Sequence, residues 1–249
     1  MPGTPLESQL DAGGMFPPTA WSRVAAAAAA GEPEKAQAAM SEVCARYWQP
    51  ARKFLRFLGA GEQDAEDLAQ EFFAKWATPE NLARLDPAQG RLRSYLKQSL
   101  RHFFVNAWQR TGRLKRGGGV EMVDLESAAD VPAADHAADA LYDREWAAAV
   151  LTAVFARLRA SYDGRGKAAL FDLLRLGLPG GNGLQPLAAV AVSAGVSEPQ
   201  IKLDLHRLRR RFGEMLQEEV ASTLAQPDDL EDELRHLLHV MSHVSAIAQ

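Results

Sequence analysis

Apolar residues return every three to four positions along most of this chain, and no run of alternating β-branched residues stands out, so the pattern predicts helices throughout. A helical stretch runs from Ser22 to Gly59, broken near Gly31-Glu32-Pro33, with Val43, Tyr47, Phe54, Leu55 and Leu58 at inward positions. Gly59-Ala60-Gly61 ends it. A second helix is predicted from about Gln63 to Ala77, closed by Thr78-Pro79-Glu80. A third, from about Arg91 to Arg113, follows the turn Asp86-Pro87-Ala88-Gln89-Gly90 and stops before Gly117-Gly118-Gly119, which reads as a hinge. From Val120 to Asp143 the regular periodicity lapses and seven acids appear with no Lys or Arg, the mark of a linker. Further helices are expected over Arg144 to Leu176, Leu187 to Ala194 and Ser197 to about Leu224, with Gly177 to Gly183 as a loop. A last acidic-to-apolar helix covers Asp228 to about Val244. The expected fold is all-α: a disordered tail (1–20), a first small helical domain (21–116), an acidic flexible linker (117–143), a second helical domain (144–226) and a C-terminal helical tail (227–249).

Composition narrows the classes. With 249 residues, 47% of them hydrophobic, the chain can form one large or two small cores. The single cysteine, Cys44, excludes an intramolecular disulfide and any multi-cysteine zinc site. Met1 to Ala20 is Pro/Gly-rich without a basic start or apolar core, and the longest apolar run, Val24 to Ala30, is far too short to span a bilayer; a cytoplasmic protein without membrane contact is expected.

Charge changes the picture more. The net charge of −4 hides two basic segments: eight Lys/Arg and no acid between Arg91 and Arg116, and five Lys/Arg against one Asp between Gln200 and Phe212. An acidic chain with two concentrated basic helices fits local contact with nucleic acid. On the third helix Leu92, Leu96, Leu100, Phe103 and Ala107 share one side, and Arg93, Lys97, Arg101, Phe104 and Trp108 share the adjacent one. Cations four residues apart track a phosphate backbone and exposed rings beside them stack on unpaired bases, an arrangement suited to single-stranded or melting nucleic acid. The alternative is a solvated basic face with Phe104 and Trp108 tucked under a neighbouring helix.

On the second helix Leu68, Ala69, Phe72, Phe73 and Trp76 form the core stripe, while Asp64, Asp67, Gln70 and Glu71 group opposite. That face is either solubilising charge or a docking surface for a basic protein partner. Without His or Cys beside it, it points to neither metal binding nor catalysis. Leu187 to Ala194, the Gly195 turn and a helix opened by Ser197, with Gln200 at capping-box spacing and Pro199 in the first turn, form a helix-turn-helix. Ile201, Leu205, Leu208 and Phe212 point inward, leaving Pro199, Lys202, Leu203, His206, Arg207 and Arg210 outward as a basic recognition face for a major groove. His236, His239 and His243 share one face of the last helix; such spacing more often marks surface or packing residues than a metal site. No cofactor is expected, and no nucleophile-base set is assembled.

In this order the motifs resemble a bacterial sigma factor of the sigma-70 family, in particular the extracytoplasmic-function group, and the similarity covers roughly Trp21 to Leu224. Asp64 to Phe73 is similar to that family's region 2.2, which docks on the β′ clamp helices of RNA polymerase. Arg91 to Leu96 and His102 to Asn106 are similar to regions 2.3 and 2.4, which melt and read the −10 box. Gly195 to Phe212 is similar to region 4.2, which reads the −35 box. The resemblance implies that Arg93, Lys97, Arg101, Phe104, Asn106 and Trp108 meet −10 DNA. Pro199, Gln200, Lys202, Leu203, His206, Arg207 and Arg210 would meet −35 DNA, and Asp64, Asp67, Gln70 and Glu71 would meet polymerase. The partners implied are core RNA polymerase, through its β′ clamp helices and β flap, promoter DNA, and an anti-sigma factor. The acidic linker would run through the polymerase toward its RNA path. Departures are Leu187-Ala188-Ala189, where many relatives carry an aromatic and a Glu, an apolar Leu203 on the DNA face, and Trp108 at a position often polar. The residues also admit a stand-alone helix-turn-helix regulator, or a helical adaptor whose charges serve protein partners. From Glu214 onward eight acids precede Arg235, so a docking or self-masking tail is a further expectation.

Overall fold

The computed structural model describes residues 30, 32–78, 81, 91–114, 136–179, 181, 183–224 and 229–247. They form eight α-helices and a short 3-10 turn, with no strand among the described residues: α1 (Pro33–Phe57), α2 (Glu62–Trp76), α3 (Leu92–Leu114), α4 (His136–Asp163), α5 (Ala168–Leu174), the 3-10 turn Arg175–Gly177, α6 (Leu187–Ala194), α7 (Glu198–Ala221) and α8 (Leu230–Ile247). The all-α expectation is met. The expected helix over Ser22 to Ala29, the Asp86 to Gly90 turn and the Gly117 to Gly119 hinge lie outside the described residues.

Charges at the helix ends follow the helix dipole, with Glu34 and Arg56 at the two ends of α1 and Glu62, Asp64 and Lys75 at those of α2. On α4, Ala138, Tyr142, Trp146, Val150, Val154 and Leu158 are buried at near four-residue spacing, one continuous apolar stripe. That stripe makes α4 the central helix: it packs against α1, α7 and α8, while α1 also carries α2 and α3. Phe54 of α1 meets Tyr142 of α4 edge-on at 5.2 Å, and Phe155 of α4 meets Phe212 of α7 at 5.6 Å. Arg46 of α1 reaches α7, pairing with buried Glu219 at 2.8 Å and donating to the Ser222 hydroxyl at 2.7 Å. Buried apolar residues from all eight helices form one connected cluster.

The structure corrects the linker. Its last eight residues, 136–143, are the first two turns of α4, because Ala138 and Tyr142 extend the apolar stripe of Trp146 and are fully buried; the acids Asp139 and Asp143 between them disguised the periodicity. The capping box is also corrected. Ser197 is the N-cap of α7 but its side chain makes no cap hydrogen bond, and the Gln200 amide instead donates to Asp204 Oδ2 at 3.0 Å. Gly195 takes φ +66 and closes α6 in the left-handed conformation, its N–H donating to the Val192 carbonyl and the following Val196 N–H to the Ala191 carbonyl.

Candidate nucleic-acid interface

The α3 helix shows its expected core stripe: Leu92, Leu96, Leu100 and Phe103 are buried. The adjacent cationic side is not a solvated face, and here the exposed stripe read from the helical wheel is corrected. Arg93 is 4% exposed, held between two carboxylates: its Nη1 donates to Asp143 Oδ1 at 2.6 Å, its Nε to Glu233 Oε1 at 2.8 Å and its Nη2 to Glu233 Oε2 at 3.3 Å. The guanidinium also lies 4.9 Å from the centre of the Trp146 ring. Lys97 sits 3.4 Å from Asp143 and 3.8 Å from Asp139, and Arg101 donates to Asp139 at 2.5 Å. Arg91, at the start of the same stripe, reaches Glu233 at 3.1 Å and Asp232 at 3.5 Å.

Electrostatics in this seam follow from burial opposed by pairing. Burial pushes the Asp143 carboxyl up, but His236 and the charges of Arg93 and Lys97 outweigh it and hold the group down at about 2. For Arg93 burial works against the charged form, yet the Glu233 and Asp143 carboxylates raise its pKa further above the ordinary arginine range. Glu233 itself is 1% exposed, so Arg93 and Arg91 supply its compensating charge. His236 Nε2 lies 3.3 Å from Asp143 Oδ2 with its ring 6.1 Å from that of Trp146, so this histidine packs into the seam. His239 is exposed, and the His243 side chain lies outside the described residues. No cluster among the described residues has the composition of a metal site.

The aromatic pair of α3 divides. Phe104 is buried at 9% exposure, while Trp108 stands 66% exposed with its ring 6.0 Å from that of Phe104. Leu58, Phe104, Val105, Trp108 and Gln109 line an open groove of about 320 Å³. Leu58 was missed as one of its walls, since the wheel of α3 carries no information about the end of α1. Asn106 is half-buried nearby on the same helix.

On α2 the opposite face is free as expected: Asp64, Asp67 and Gln70 are exposed, and the buried side is Ala65, Ala69, Phe72, Phe73 and Trp76, with Leu68 only half-buried. Glu71 spends its charge internally, on Lys75 at 2.6 Å and Arg110 at 3.5 Å. Although its burial raises the pKa, those two cations bring it below the ordinary carboxylate range.

On α7, Pro199, Lys202, Leu203, His206, Arg207 and Arg210 are all exposed, as the wheel requires, while Ile201, Leu205, Leu208 and Phe212 are buried. The cations there meet only carboxylates on their own helix, Lys202 with Glu198 at 3.0 Å, Arg207 with Asp204 at 3.8 Å and Arg210 with Glu214 at 3.5 Å. Gln200 is half-buried and committed to Asp204. Val192 and Val196, on α6 and in the turn after it, are exposed as Leu203 is.

The residues missed in the sequence are Asp139, Asp143 and Glu233. The signal that could have found them is the imbalance itself, since a segment with eight Lys and Arg and no acid, Arg91 to Arg116, calls for counter-charges from the two acidic segments further along. Among the described residues no helix is long and apolar enough to cross a membrane. No curated protein and no solved structure matches the chain. Residues 43–114, which run from the middle of α1 to the end of α3 and so contain both the free acidic face and the cationic stripe, match the family model for Sigma-70 region 2.

Proposed function

We propose that this chain is a sigma factor of the extracytoplasmic-function type, which binds core RNA polymerase and directs promoter recognition and opening in the cytoplasm, and catalyses nothing itself. The observation that carries the reading is the Sigma-70 region 2 match over residues 43–114. In this reading 21–116 is the unit that docks and melts, 144–226 is the unit that reads the −35 box, and the segment between them passes through the polymerase.

The surfaces support a division of labour. Asp64, Asp67 and Gln70 on α2 offer a free acidic face to a basic protein surface. Trp108 offers an exposed ring beside a groove large enough for an unstacked base. Lys202, Arg207 and Arg210, with Leu203 for a thymine methyl, suit the major groove of the −35 box. Binding energy from polymerase docking and phosphate contacts then offsets the few kcal/mol roughly needed to unstack and extrude a base.

The test is co-purification with core RNA polymerase, comparing the wild type with Asp67→Lys. Capture of the wild type, weakened by the reversal, supports the docking face. Failure of the wild type to bind polymerase, with duplex DNA still bound, would move the assignment to a stand-alone helix-turn-helix regulator. Lys202→Ala should weaken −35 duplex binding and reduce its salt slope by about one.

A further inference from the structure

We infer that Asp204 of α7 is a positioning residue for base readout: it holds the amide nitrogen of Gln200 and leaves the amide carbonyl oxygen to meet an amino-bearing base, adenine or cytosine. The inference rests on the reading of α7 as a duplex-reading helix and adds a residue that sets its specificity.

Asp204 is 9% exposed, yet it stands between two side chains of the proposed reading surface. One turn before it, Gln200 Nε2 donates to its Oδ2 at 3.0 Å; one turn after it, Arg207 Nη1 lies 3.8 Å from its Oδ1. The two carboxylate oxygens are divided between these neighbours, and Arg207 balances the negative charge that Asp204 brings near the DNA. Tyr162, close to the end of α4, feels the same carboxylate: burial raises its hydroxyl pKa, the Asp204 charge raises it further, and Arg165 works the other way. Asp204 therefore lies against α4 as well as along α7, a buried anchor where the Lys202–Glu198 pair of the same helix is exposed.

An ionised carboxylate only accepts hydrogen bonds, so the Gln200 amide must turn its NH2 toward Asp204 and its carbonyl oxygen away. The other use of that oxygen, reaching back to the Ser197 N–H in a capping box, is not made, and among the described residues it has no hydrogen-bond partner. In the major groove such an acceptor is met by the N6 amino group of adenine or the N4 amino group of cytosine, whereas the hydrogen-bonding atoms of guanine and thymine there are acceptors themselves. A glutamine free to rotate offers both of its edges. One clamped by Asp204 selects.

The experiment is selection by the full chain from a pool of short DNA duplexes with a randomised core, followed by sequencing of the bound fraction, with thermal melts as the check on folding. The wild type should enrich adenine or cytosine about ten-fold at one position, and Gln200→Ala should erase that preference. Asp204→Ala should reduce it to within about two-fold, and in the Gln200→Ala background should change nothing further. Asp204→Asn, whose side-chain oxygen still accepts, should keep most of it. A weakened fold lowers discrimination at every position alike, so a loss confined to this one separates positioning from structure. If Asp204→Ala fails to fold, Asp204→Leu, which fills the buried space without an acceptor, decides. A Gln200→Ala chain with the wild-type pattern, folded Asp204→Ala or Asp204→Leu chains that keep it, or a Gln200-dependent position that enriches guanine or thymine would each overturn the positioning and leave α7 a duplex reader. A wild type that enriches no sequence would overturn the reading of α7 and the inference with it.

Discussion

Arg93 concentrates the electrostatics of the molecule in one side chain. It is almost fully buried against Trp146, and its two carboxylate partners come from helices 50 and 140 positions away. Removing one member of a buried ionic group leaves the others desolvated and unpaired, so Arg93→Ala should lower the unfolding free energy by about 3–5 kcal/mol in urea titrations. Arg101→Ala, at the rim of the same seam, should cost well under half of that; equal losses would mean the seam is not buried in solution. Asp143 adds a pH dependence of fixed sign. Its carboxyl titrates at about 2 in the folded chain against 3.8 as the ordinary value, so the unfolded state binds the proton more readily. The resulting stabilisation, about 2 kcal/mol, is fully present above pH ~4 and disappears as pH falls toward 2. Urea midpoints measured at pH 6, 4 and 2 should fall most steeply in the last interval, and Asp143→Asn should flatten that fall; an identical slope in the variant refutes the assignment.

At the scale of the element, the turn between α6 and α7 depends on one backbone conformation. Gly195 sits at φ +66 with open space where a Cβ would go, so Gly195→Ala meets no clash but pays the left-handed penalty, about 1 kcal/mol. Thermal melts should show that loss; an unchanged or raised melting temperature would mean the α6–α7 turn relaxes freely. The outward face of α7 was legible in the sequence because its cations and apolar residues sort by the helical period alone, and every outward position read from the wheel is exposed. The α2 stripe was legible for the same reason. The covering of α3 was not. A wheel says which residues share a side, and nothing about which neighbour packs on that side, so a basic stripe facing solvent and one facing distant acids look alike. Asp139 and Asp143 were read as linker because they interrupt an apolar repeat whose other members, Ala138 and Tyr142, are the start of α4.

The whole molecule joins two groups of helices through α4, and α8 closes the joint. It packs against α4 and α7 and buries Leu237 and Val240, and Glu233 from its first turn extends its contacts to Arg93 on α3. Arg46 with Glu219 and Lys53 with Glu145 tie α1 to α7 and α4 by ion pairs, one buried and one exposed, which alone hold the groups less firmly than the added α8 clasp. Truncation after Leu224 removes 249 − 224 = 25 residues. If the remaining chain kept its compactness, its radius of gyration would shrink by about 4%. Loss of the clasp predicts the reverse, a shorter chain with a larger radius in small-angle scattering. A truncated chain that simply shrinks would show that α8 packs on the molecule without holding the joint closed.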